Sequence, residues 1–496
     1  MRVFQSGSRS WQWAVALAAV CWLSIVLGAI LTRMPYVDEG YYTLSPYSRI
    51  ARGDWGAHEI EPSAFIYASI DKPLTRIDRR AYWVMPLESL LQAGWYRLVG
   101  WGLVQQRLLS VAAGLLGILI WFDLTRRVSR DVLLAGFATL LIAFDWTYVT
   151  FTSMGRPDML GFLFGLAALY AHETFFASRP LLARLLSAAS LCAVGMIHPL
   201  AAVVWGAVYG VRCLLQWRRI TLAQIAVFFI PVAVTGALFA VWIGFDPVAF
   251  WDQMAAQSGF RTAAVRLDEW RRYFAMYGLL PKPFSGDLLK LMPALTLLGA
   301  AVILWIRRRE AAGVAGLRLA LLLGGVAFLV LTLADDRKWA AYGLHVVPWI
   351  ALISAYAIRS LWNDRARMLV AGWVSLYVLA AILAGAYVVQ RRSFDRVYRP
   401  AVAALAGLAT NGETVFAPAE FRFAYPGSFL YDARYGFLTG KPVPAIAVAK
   451  EDFSDALHWS QQGNPRLHAY LQAKLNRACQ LRYENEKYAV YACAVR

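Results

Sequence analysis

The sequence predicts a polytopic all-α membrane protein of about eleven transmembrane helices, followed by a small α/β domain outside the membrane. Three observations carry that prediction. Apolar residues make up 59% of the 496-residue chain and charged residues only 16%. Apolar runs of roughly 17–25 residues, the length that crosses a bilayer, recur between short Arg-rich connections. From residue 390 to 496 the pattern changes to a short helix, apolar strands such as TVFAP and AIAVA, and Gly/Pro turns.

The predicted spans cover approximately 11–32, 104–125, 131–150, 159–176, 182–198, 199–217, 221–244, 288–306, 316–334, 340–360 and 368–389. Arginine sets their orientation, because short cytoplasmic loops collect positive charge. With a cytoplasmic N-terminus (Arg2, Arg9), those loops carry Arg126–Arg127–Arg130, Arg179–Arg184, Arg212–Arg218–Arg219, Arg307–Arg308–Arg309 and Arg359–Arg365–Arg367. The pattern requires 182–217 to be two short helices broken near His198–Pro199. A single span there would turn every later arginine cluster outward. The formal charge of +18 is therefore loop charge beside a membrane, and nucleic acid is not expected as a partner.

An odd number of spans places the tail, 390–496, on the outer side. The cysteines agree. Cys21, Cys192 and Cys213 lie in apolar runs, whereas Cys479 and Cys493 flank CQLRYENEKYAVYAC, a hairpin-like segment. A disulfide across those paired strands suits only an oxidising compartment. The first apolar run is too long for a cleavable signal peptide, and no small-residue cleavage site follows it. The expected division is a transmembrane unit over 1–389, with long outer loops at 33–103 and 245–287, and an extracytoplasmic domain over 390–496.

Three polar groups fall at outer span mouths. Asp38 and Glu39 follow the first span in RMPYVDEGYY, flanked by Tyr36, Tyr41 and Tyr42. Arg156 and Asp158 precede the fourth, where a capping pair is the plainer explanation. Arg337 and Lys338, with Tyr342, precede the tenth; Lys338 also suits simple snorkelling to the headgroups. Carboxylates and cations at one depth can do a definite chemistry. A carboxylate takes a proton from an attacking hydroxyl, and cations hold a phosphate as its charge develops on leaving. A phosphate offered at membrane depth belongs most naturally to a lipid.

The acidic pair in the first outer loop, the Arg-x-Asp element and the Lys-x-x-x-Tyr of RKWAAYGLHVVP resemble membrane glycosyltransferases of the GT-C fold. Protein O-mannosyltransferases and lipid A aminoarabinose transferases look most similar, over residues 1 to about 390. The resemblance implies an inverting transfer of a sugar from a polyprenyl-phosphate donor, without a nucleotide, at the outer face of a bacterial cytoplasmic membrane. By that resemblance Asp38 would be the base and Glu39 would shape the sugar or acceptor site. Asp158 and Arg156 would position sugar and phosphate. Lys338 and Arg337 would grip the lipid phosphate beside Tyr342. Tyr41, Arg261 and Arg266 are further substrate-binding candidates.

Some relatives hold a divalent metal; here the candidate ligands are His58, Glu59 and Glu61 with His198, although HEIE lacks the spacing of a helical metal motif. His345 reads as a satisfied interior group. The acceptor remains open among protein, lipid and glycan hydroxyls. The alternative function is a transporter or flippase for a lipid-linked or anionic solute. It would need polar groups at the midplane, whereas Asp123 and Asp145 are expected near span ends. A non-catalytic scaffold would leave the acidic pair without a purpose.

Overall fold

The computed structural model describes residues 8–60, 74–82, 84–258, 287–334, 340–362, 366–409, 413–430, 443–450 and 479–494. A helix stands at each predicted span: α1 (Ser8–Thr32), α4 (Leu103–Ser129), α7 (Pro157–Phe175), α8 (Pro180–Ile197), α9 (Pro199–Leu214) and α10 (Leu222–Gly244), then α12 (Asp287–Ile306), α13 (Ala315–Ala334), α14 (Val347–Trp362) and α15 (Arg367–Arg391). The span expected at 131–150 is split into α5 (Val132–Ala143) and α6 (Trp146–Thr152). Outside these lie α2 (Val37–Ala51), α3 (Pro86–Val99), α11 (Pro247–Ser258) and α16 (Arg399–Ala406). Among the described residues, five helices are long and apolar enough to cross a membrane alone, and counting two bent pairs as spans raises this to seven.

Close packing of the spans uses small residues, as lipid-embedded helices do. A Cβ on Gly385 of α15 would lie 2.3 Å from Ile25 on α1, and one on Gly165 of α7 would lie 2.2 Å from the Trp205 ring on α9. The expected break at His198–Pro199 is present. Proline without an N–H ends α8 and is well placed as the first residue of α9, and His198 caps α9 by accepting a hydrogen bond from Ala201 N–H at 3.2 Å.

Asp145 lies between two helices of one predicted span. It sits where α5 and α6 bend by 64°, after the 12 residues of α5, which climb only about 18 Å of a hydrocarbon layer roughly 30 Å thick. Its carboxylate accepts from the Thr147 and Tyr148 N–H groups and so starts α6. Apolar periodicity runs smoothly through such a break, so the sequence hides it.

The tail forms a mixed sheet in the order β2-β1-β3-β5-β4, with β1 at Val415–Phe416, β2 at Phe429–Leu430, β3 at Ala445–Ala449, β4 at Cys479–Glu484 and β5 at Tyr488–Cys493. Strand β1 runs parallel to β2 and β3, and β5 pairs antiparallel with β3 and β4. A disulfide joins Cys479 to Cys493 at the end of the β4–β5 pair.

Two large hydrophobic cores stand out among the described residues, beside a small cluster of Tyr82, Ala249 and Phe250. One lies among the spans. The other combines tail residues such as Tyr398, Phe421 and Val490 with Leu44, Ile60, Leu74 and Ile77 of the first outer loop. Loop and tail thus bury their apolar surface against each other, and α2 is packed between this core and the spans. A Cβ on Gly40 of α2 would lie 2.2 Å from the Glu420 backbone nitrogen, so only glycine lets the tail's turn at Ala419–Phe423 approach so closely. Tyr398 and Tyr488 hold that turn by hydrogen bonds to Glu420, at 2.6 Å to its carbonyl and 3.1 Å to its carboxylate.

Candidate active site

Asp38 and Asp158 meet through Arg156. The Arg156 guanidinium donates to the Asp38 carboxylate and, from Nε, to Asp158 Oδ2 at 2.8 Å. The helix geometry explains the meeting. Asp38 lies in the first turn of α2, Pro157 opens α7, and Arg156 and Asp158 flank it at the same helix start. Side-chain exposure separates their roles: Asp38 is 25% exposed, Arg156 2% and Asp158 0%. Asp158 is fully buried and paired with Arg156. On its other side, Asp158 Oδ1 lies 3.5 Å from His198 Nε2. Because His198 Nδ1 accepts from a backbone N–H, a neutral ring carries its proton on Nε2, pointing at Asp158. The Tyr342 ring is 5.5 Å from that of His198, and Arg156 lies 5.8 Å over the Tyr42 ring.

Glu39 is placed differently from its neighbour. It is wholly buried and bound in a bidentate pair by Arg107, with both contacts at 2.7 Å. The Gly155 and Tyr36 N–H groups donate to it as well, each at 2.8 Å. Arg107 spends its remaining N–H groups on the carbonyls of Ile30, Arg33 and Met34, and Gln106 bridges the carbonyls of Glu39 and Gly155. Glu39 therefore faces away from solvent, where the expectation had it lining the sugar or acceptor site. It locks α2 to α4 and to the loop that carries Arg156. Reading the sequence missed Arg107 and Gln106. The available signal was QQR (105–107) inside an apolar span, a charge that has to find a partner there.

Glu88 was missed too. It is 1% exposed on α3, accepts from Gln92 Nε2 at 2.5 Å, and its Oε2 has no hydrogen-bond partner among the described residues. Burial raises its pKa from the ordinary 4.5 to about 7, the Gln92 bond opposes this, and the charge of Asp158 raises it further. Gln92, Tyr96 and Thr43 continue the buried polar chain toward α2.

The metal candidates do not come together. His58 pairs with Asp54 at 2.9 Å, Glu59 lies 3.6 Å from Arg52 and 3.5 Å from Arg422, and His198 serves Asp158. Among the described residues, no group of three or more His, Cys, Asp or Glu side chains is placed to hold a metal ion. Among the described residues, the candidates for the divalent ion that the resemblance suggested are thus held by other partners. His345 is buried, accepts from Trp205 Nε1 at 3.1 Å, and its Nε2 has no hydrogen-bond partner among the described residues, so it is only half satisfied. Tyr41 is half-buried and packs on the shared loop–tail core. Glu61, Arg261, Arg266, Arg337 and Lys338 lie outside the described residues.

Helix α2 turns by 78° from α1, a partly open carboxylate stands at its start and a buried Arg–Asp pair at a later helix start, in a membrane protein with the GT-C fold. Solved structures of ArnT from Cupriavidus metallidurans share the fold. The apo form matches with a TM-score of 0.61 at 16% identity, covering 98% of this chain and 99% of the other. The form bound to undecaprenyl phosphate matches with a TM-score of 0.62 at 16% identity, covering 98% of each. No protein-family model matches the sequence, and no curated protein matches it.

Proposed function

We propose that the chain is a glycosyltransferase that moves a sugar from a polyprenyl-phosphate donor to an acceptor hydroxyl at the outer face of the cytoplasmic membrane. The observation that carries this reading is the exposure gradient along Asp38, Arg156 and Asp158. The one carboxylate of the three groups that keeps solvent contact is held by a cation whose own position is fixed from below. In the proposed step, Asp38 takes the acceptor's proton as the hydroxyl oxygen bonds to the anomeric carbon. The bond from that carbon to the donor oxygen breaks, its electrons stay on the phosphate, and the sugar inverts. Arg156 holds Asp38 in line, Asp158 and His198 orient Arg156, and Glu39 acts through its clamp as a positioning residue.

An ArnT structure bound to undecaprenyl phosphate supports a lipid phosphate as the partner on the donor side. Lys338 and Arg337 remain the proposed grip on it. The proposed orientation puts the N-terminus in the cytoplasm and the sheet domain, 390–496, outside it.

The test replaces Asp38 with Asn and measures transfer from a polyprenyl-phosphate sugar. Loss of about 10²–10⁴ in rate is expected from removing a general base, with the melting temperature nearly unchanged. Equal rates in variant and wild type would exclude Asp38 as the base. Mass spectrometry of envelope lipids and glycans in a deletion strain would name the missing sugar and its acceptor.

A further inference from the structure

Away from the outer mouth, the bend between α5 and α6 encloses a small cavity. Asp145, Thr296, Ser354 and Tyr377 line it, with Pro293 and Val347 among its apolar walls. Its free volume is about 10 Å³, close to what a single water-sized occupant needs.

Part of the wall carries oxygen atoms, from Asp145, Thr296, Ser354 and Tyr377. Asp145 is 4% exposed and forms no ion pair among the described residues, its hydrogen bonds coming from two backbone N–H groups of α6. A carboxylate within the membrane without a counter-charge is costly and marks a functional position. The hydroxyl protons of Thr296 and Tyr377 are already committed, to the Met292 carbonyl at 2.7 Å and the Leu141 carbonyl at 3.0 Å; Thr296 Oγ1 also accepts from Trp373 Nε1 at 3.0 Å, which leaves it one acceptor position. Ser354, 1% exposed, has a hydroxyl with no hydrogen-bond partner among the described residues. A carboxylate and three hydroxyl oxygens thus face the space between apolar walls, and no cationic side chain lines it among the described residues.

We propose that this cavity is a sodium site. Hard oxygen ligands suit an alkali or alkaline-earth ion, and a single carboxylate with space for one small occupant favours a monovalent one over calcium or magnesium. Unwound backbone at a broken span is also where membrane proteins hold such ions. The ion would neutralise Asp145 and brace the bend. Helix α6 leads directly into Gly155 and Arg156, so bracing the bend also steadies the outer cluster. The inference is independent of the transfer reaction, since a sodium site would exist whether or not the chain moves sugar.

The test uses the purified full-length protein in detergent, melted with tryptophan fluorescence in about 0.15 M sodium, potassium or choline chloride, which equalises ionic screening. A midpoint about 3 °C higher in sodium than in choline is expected, with a smaller gain in potassium. Asp145→Asn should abolish the sodium gain while keeping the shape of the side chain. Ser354→Ala, which leaves every hydrogen bond described above intact, should at least halve it. Equal midpoints in sodium and choline would mean a water or a proton occupies the cavity, and would overturn the proposal. So would an unchanged sodium gain in Ser354→Ala.

Discussion

Asp38 and Glu39 are neighbours on one helical turn, yet one sits in an open ion pair and the other in a sealed one. Around Asp38 the cation is fixed from below and the carboxylate keeps part of its surface in solvent. Around Glu39 both partners are at 0% exposure and backbone N–H groups complete the shell. The comparison shows that the two members of a charged doublet at a helix start meet different surroundings: one side chain keeps contact with solvent and the other ties down the backbone beside it.

The largest expected effect would break the sealed side. Arg107→Met leaves Glu39 charged and buried without a partner, which costs about 3–5 kcal/mol and should remove most folded protein from the membrane fraction. Adding Glu39→Gln should restore much of the folded yield, because the stranded charge is gone. If Arg107→Met alone folds as well as wild type, the clamp is not what holds α2. On the open side, Asp38→Asn should leave folding within about 1 kcal/mol while transfer is lost, so the two neighbours should fail in opposite assays.

Glu88 sharpens the comparison, being buried like Glu39 but without a cation. Its raised pKa means the native state holds the proton more tightly than the unfolded chain does. The stability it contributes is therefore complete below pH 4.5 and disappears as pH climbs through about 7. A shift of that size corresponds to roughly 3 kcal/mol. Glu88→Gln should flatten the melting temperature against pH across this window. A profile identical to wild type would mean Glu88 does not titrate there.

The smallest effect tests the tail's support of α2. Tyr488→Phe removes one hydrogen bond to Glu420, behind the turn that rests on Gly40, and should cost about 1 kcal/mol with little change in transfer rate. A rate loss larger than the stability loss would place the tail closer to the chemistry.

Asp38, Arg156 and Asp158 were legible because polar residues at span mouths stand out against long apolar runs, and arginine placed those mouths on one side. The break at His198–Pro199 was legible for a similarly local reason, the missing proline N–H. Arg107, Gln106 and Glu88 were not. Each sits near a helix start, where a polar residue is ordinarily solvated, and only packing against another helix shows that it is buried. The bend at Asp145 was not legible either, because the apolar pattern runs through it unbroken.

The sequence by itself determined the membrane class and the positions of the helices, since these follow from hydropathy and backbone chemistry along the chain. Which of Asp38 and Glu39 faces solvent, which cation each one meets, and the joining of the first loop with the tail in one core were decided by tertiary structure. Those outcomes depend on contacts between residues far apart in the chain, such as Glu39 with Arg107 and Gly40 with Glu420, and no local pattern encodes such a distance.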